Sequence, residues 1–78
     1  MKLEIIKPEK KLFEGEAKSV VVPDAMGQLG ILNRHAPLIA ALKKGTIKVT
    51  ETNGKVQLFD INGGVVEVLK NKVIILAE

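Results

Sequence analysis

From Thr46 to Thr52 the sequence alternates without a break, with Ile47 and Val49 set against Thr46, Lys48 and Thr50, and it then meets Asn53-Gly54. A period of two puts alternate side chains on opposite faces of a strand. Asn-Gly is the strongest short signal for a tight reversal between antiparallel strands. The two together predict a hairpin whose return strand is Lys55 to Ile61, and they commit this part of the chain to β structure.

The same reading extends in both directions. Lys2 to Lys7 alternates, with Leu3 and Ile5 on one side and Lys2, Glu4 and Ile6 on the other, and Pro8 ends it or marks an edge. Glu9 to Lys11 reads as a charged connector, Leu12-Phe13 as a short strand closed near Gly15, and Lys18 to Val22 as another strand stopped by Pro23-Asp24. Leu29 to Leu32 follows as a short strand. Leu38 to Leu42 is too short for an independent helix and sits between Pro37 and Lys43-Lys44-Gly45, so we read it as a strand. After Asn62-Gly63-Gly64 come Val65 to Leu69, a Lys70-Asn71-Lys72 turn, and Val73 to Ala77. Eight or more short strands, about ten in all, with no convincing helix predict an all-β fold. The expected form is a small antiparallel β-sandwich or flattened barrel comprising a single domain, residues 1–78.

Gly27 to Pro37, G-Q-L-G-I-L-N-R-H-A-P, is the irregular stretch between these runs and holds the only histidine and the only arginine. Two glycines bracketing so short a strand predict a positive φ at Gly27 or Gly30. Irregular segments on a rigid scaffold are the usual place for a binding surface.

Composition sets the function classes. With 46% hydrophobic residues the chain can form a core, and without cysteine that core has no disulfide, thiolate nucleophile or thiolate metal site to help it. A net charge of +3, from lysines scattered among glutamates, describes a solvated surface rather than a phosphate-binding face. The opening M-K-L-E-I-I-K-P lacks the apolar run of a secretory signal, and no stretch approaches the about 18 apolar residues of a membrane helix. An internal, soluble protein is expected.

Catalytic and metal constellations are absent from the sequence. His35 has no second histidine or cysteine to complete a metal set and reads as a loop-ordering or contact residue. Ser19, the only serine, lies in an apolar strand, and Asp24 follows a proline as a turn former. Gly27-Gln28-Leu29-Gly30 matches the glycine loop of one RNA-binding module, which needs flanking helices that are missing here. Two phenylalanines, with no tryptophan or tyrosine, make a poor base-stacking platform. No phosphate-binding glycine loop or dinucleotide fingerprint occurs. Neither a catalytic residue, a metal site nor a cofactor is expected.

The last two strands break the alternation. Val65-Val66, Val68-Leu69 and Val73 to Leu76 place apolar side chains on both faces, which a sheet with one wet face does not do. Either turns and a flanking strand shield the second face, or it is a docking surface. The sets in question are Val66, Ile74 and Leu76, or Val65, Val73 and Ile75. One set is expected to be core and the other to be exposed.

The run from Gly27 to Val49, with its ordered G-x-L-G-I, H-A-P and K-x-G, and the later I-N-G-G-V-V-E-V, resembles the amino-terminal β domain of the epsilon subunits of F-type ATP synthases. The resemblance spans about Leu3 to Ala77. It implies a non-catalytic element at the foot of the rotary central stalk, coupling proton or sodium flow to ATP synthesis. One sandwich face would lie on the gamma subunit and one end on the polar loops of the c-ring. It implies a place peripheral to the membrane, on the cytoplasmic face of a bacterial inner membrane rather than in an organelle, with no small-molecule substrate. Carried over by position, Gly27, Gln28, Leu29, Arg34 and His35 would face the c-ring, while the valine, isoleucine and leucine sets above would face gamma. Kin often carry an acid where Gln28 stands, and an amide there can only hydrogen-bond. Longer members continue into a helical hairpin with inhibitory and, in some, nucleotide-binding roles. Since the sequence stops at Glu78, the expectation is coupling and assembly without self-inhibition or ATP binding. The alternative is a small nucleic-acid-binding β module.

Overall fold

The computed structural model describes all of residues 1–78. The chain forms eight strands: β1 (Lys2–Ile6), β2 (Lys11–Asp24), β3 (Gly27–Leu32), β4 (Leu38–Leu42), β5 (Gly45–Glu51), β6 (Val56–Ile61), β7 (Gly64–Leu69) and β8 (Lys72–Ala77). No helix forms, as the short, alternating runs require. Pairing makes two layers that share one strand. The first half of β2 joins β1, β8, β7 and β4, and its second half lies between β3 on one side and β5, with β6 beyond, on the other. The sandwich is the expected class, built from fewer and longer strands than the expected ten or so.

That reduction comes mostly from β2. Gly15 and Pro23 were both expected to end strands, yet β2 runs through them for 14 residues. Gly15 pairs with Leu3 in an ordinary ladder position. Pro23 pairs with Gln28 of β3 beyond Val21, the last residue matched to β5, so the donor it lacks is not needed on that side. Its carbonyl accepts the Lys43 N–H at 2.8 Å.

A bulge lets β2 serve both layers. Ala17 pairs with Glu51 and Ser19 with Thr50, leaving Lys18 without a counterpart. One extra residue flips the parity of everything after it. Ala17 is buried before the bulge, and Val20 and Val22 after it, so the strand keeps an apolar side toward the interior while it crosses from one layer to the other.

Every pairing is antiparallel except β1 with β8. This corrects the purely antiparallel expectation. The two are the first and last strands, so no hairpin constrains their direction, and side-chain periodicity carries no information about polarity. The interior between the layers holds 16 buried apolar residues and no buried polar side chain. Without disulfides, burial of this cluster is the principal stabilising term.

Candidate docking surfaces

Cross-strand partners share a face of the sheet, which allows the outer surface of the larger layer to be read in rows across β1, β8, β7 and β4. One row is Ile6, Leu76, Val65 and Ala41, and the next is Glu4, Ile74, Glu67 and Ile39. Leu76 is 55% exposed, Val65 42% and Ile39 72%. Leu69, beside Lys72, extends the apolar area. The result is an apolar outer face spanning four strands, flanked by charge on the β1 side.

This face corrects both of the expected sets. In the β7–β8 ladder Val65 faces Leu76, Val66 faces Ile75 and Val68 faces Val73. Paired residue numbers have an odd sum, so partners on one face always have opposite parity. Val66, Val73 and Ile75 are fully buried and belong to the core. Val65, Ile74 and Leu76 point outward, with Ile74 only partly exposed.

Charge on this face is handled in two ways. Glu4 is bridged by Lys11 and Lys72, each at 3.4 Å, and Lys11 also meets Glu14 at 3.0 Å. The Lys11 ammonium, opposed by partial desolvation and aided by Lys72, holds the Glu4 carboxyl below its ordinary value. Glu14 and then Glu4 raise Lys11 above its own. Glu67, surrounded in its rows by Ile74, Ile39 and Val65, is exposed and has no ion-pair partner.

The residues expected to face the c-ring do not form one loop. Gly27 and Gln28 pair with Asp24 and Pro23 at one end of β3, and Leu29 is half-buried against the core. Arg34 and His35 lie past the other end, roughly 17 Å or more along an extended strand. β3 pairs only with β2, so these residues mark the two ends of a free border. Gly27 has φ 133°, which meets the expectation of a positive φ, whereas Gly30 is not among the positive-φ glycines. Beyond β3, Arg34 adopts φ 62°, and its N–H donates to Asn71 Oδ1 at 2.7 Å. The His35 N–H donates to Leu32 O at 3.2 Å, and its Nδ1 lies 2.8 Å from Ala36 O. In the sequence Asn71 shows only as part of the Lys70-Asn71-Lys72 turn. Its role in tying the Arg34 loop to the β7–β8 turn spans 37 residues and left no local signal.

The remaining chemistry-bearing residues stay apart. Asp24 Oδ2 accepts the Met26 N–H at 3.0 Å, the expected turn bond. Ser19 stands in the ladder between Leu32 and Thr50. No group of three or more histidine, cysteine or acidic side chains is placed to hold a metal ion. The two phenylalanines meet edge to face at 6.1 Å, half-buried against the core, and offer no platform for bases.

The whole chain, residues 1–78, matches the family described as ATP synthase, Delta/Epsilon chain, beta-sandwich domain. The chain belongs to that family. It is 42% identical over 74 residues to the ATP synthase epsilon chain of Dichelobacter nodosus, covering 95% of this chain and 52% of the relative. It is 44% identical over 77 residues to that of Desulforamulus reducens, covering 99% and 58%. This family member therefore spans about half the length of its relatives. Solved structures share the fold: a chain of the Euglena gracilis mitochondrial ATP synthase, with OSCP, F1 and c-ring, superposes with a TM-score of 0.90 at 22% identity, over 96% of this chain and 48% of that one. A chain of the Tetrahymena thermophila mitochondrial ATP synthase central stalk and c-ring gives 0.81 at 23%, over 99% and 62%. No helix of the structure is long and apolar enough to cross a membrane.

Proposed function

We propose that this β-sandwich is a non-catalytic docking and coupling module of the central stalk of a rotary F-type ATP synthase. It seats its larger layer's outer face on the gamma subunit and the β3 border and its ends toward the c-ring. There it acts as a rigid wedge that passes torque between ion flow and ATP synthesis. It works peripherally, at the cytoplasmic face of a bacterial inner membrane, and the 78 residues themselves neither bind nucleotide nor inhibit the motor.

One observation carries the reading: the apolar rows of Ile6, Leu76, Val65 and Ala41 with Ile74 and Ile39, which the domain leaves uncovered. Monomeric domains seldom expose so continuous an apolar surface unless a partner covers it. Family membership favours the gamma subunit as that partner. Capture of purified gamma on the immobilised domain tests it. Leu76→Lys and Val65→Lys should abolish capture, because an unpaired ammonium in an apolar interface is strongly unfavourable, while Leu58→Lys on the opposite layer should preserve it. Undiminished capture by both of the first two variants would place gamma elsewhere.

A further inference from the structure

Four strand borders lack a neighbour along at least part of their length: the first half of β2, then β3, β4 and β6. Such a border is a row of free N–H and C=O groups that invites another strand. Three of the four are defended. The first half of β2 carries Lys11, Glu14 and Glu16 around Gly15, and β3 is interrupted by Gly27 and Gly30. β4 follows Pro37 and is closed at its far end, where the Ala25 N–H donates to Ala41 O at 3.3 Å and Asp24 pairs with Leu42.

β6 is the least protected of the four, with a single charge along its length. Its sequence, Val-Gln-Leu-Phe-Asp-Ile, contains no proline, glycine or lysine, and its register against β5 is unbroken. The one charge, Asp60, accepts a hydrogen bond from Thr46 Oγ1 at 2.8 Å. The direction of its backbone groups follows from the hairpin. The Glu51 N–H donates to Lys55 O, so that pair is hydrogen-bonded, and alternation makes Val49 with Gln57 and Ile47 with Phe59 bonded as well. Val56, Leu58 and Asp60 therefore direct their N–H and C=O groups away from β5. The same residues present their side chains on the outer face, Leu58 at 65% and Val56 at 48% exposure.

We infer that this border is a self-association site, which takes β6 of a second copy of the chain in antiparallel register about Leu58. A row of alternating donors and acceptors matches the edge of another extended strand, which sets the class of occupant proposed. The strand complements itself. A two-fold register sets Leu58 against the second copy's Leu58 and Val56 against the second copy's Asp60, and all three outward pairs become hydrogen-bonded. No like charges meet across the seam. The contact unites two four-stranded layers into one continuous sheet. It is small beside the area a permanent dimer needs, so association sets in at high protein concentration. The inference rests on the fold and is independent of the gamma reading.

Sedimentation equilibrium of the 78-residue chain, from micromolar to about millimolar concentration, with amide exchange by NMR, tests it. The expected result is a concentration-dependent doubling of mass, with the Val56, Leu58 and Asp60 amides gaining protection as the dimer forms. Leu58→Lys should return the chain to monomer. Leu58→Pro should do the same without breaking a ladder bond, since the N–H it deletes points outward. Leu32→Lys, on the same outer face but on β3, should leave dimerisation intact. A monomer at every concentration overturns the inference, as does a dimer unaffected by both Leu58 variants.

Discussion

Val66 and Ile75 face each other across the β7–β8 ladder, and both are fully buried. The next rung pairs Val65 with Leu76, and both of these are exposed. Adjacent residues of nearly identical chemistry thus have opposite duties. Ile75→Lys should unfold the domain or cost several kcal/mol, because the charge has no partner in the core. Leu76→Lys should stay within about 0.5 kcal/mol of the parent. Urea unfolding of the two variants measures the contrast, and equal losses would mean that the outer row is structural.

Glu67 carries the one unpaired charge within the apolar rows, whereas Glu4 in the same row is bridged by two lysines. A partner covering this face should bring a cation to Glu67. Glu67→Lys should weaken gamma binding by tenfold or more, about 1.4 kcal/mol, and Glu67→Gln by less. Unchanged affinity in Glu67→Lys, read by titration calorimetry, would leave the carboxylate outside the interface.

Gly64 opens β7 at φ 149°, and a Cβ there would collide with the backbone of Leu76 and Ala77. No side-chain rotation relieves such a clash. Gly64→Ala should therefore cost more than Gly27→Ala, where φ is 133° but the space is open, and where the strain alone costs about 1 kcal/mol. Gly30→Ala, in open space, should change stability little. Chemical denaturation of the three variants checks this ranking.

The Glu4 cluster should leave a mark on the pH dependence of stability. Its carboxyl is held below the ordinary value in the folded chain, chiefly by Lys11 and then by Lys72. Its contribution is therefore complete above the ordinary carboxylate range and is lost as the pH falls through the lower, folded value. Lys11 is raised, chiefly by Glu14, so its contribution holds below its ordinary value and is lost as the pH rises through the folded one. In thermal melts, the gap between the parent and Glu4→Gln should be widest near neutrality and close on the acid side. A gap independent of pH between neutrality and the acid range would show that the ion pairs contribute nothing.

The β class, the Asn53-Gly54 hairpin, the loop around His35 and the apolar excess of the last two strands follow from the sequence alone. Each depends on local chemistry: period-two alternation, turn-forming residues and an excess of valine and isoleucine. Alternation also marked the buried faces of β1 and β5, Leu3 with Ile5 and Ile47 with Val49, whereas those of β2, β7 and β8 were decided only by tertiary pairing. The Lys18 bulge reverses the inward parity of β2, and the odd-sum register of β7 with β8 sends Val66 inward and Leu76 outward. The parallel match of β1 with β8 joins the two ends of the chain, and no local pattern encodes it. The separation of Gln28 from His35 along β3, and the 37-residue tie from Arg34 to Asn71, arise the same way. Strand partners are chosen by the cooperative burial of a shared core, and a single strand's pattern shows that it has an apolar face without showing what that face will meet.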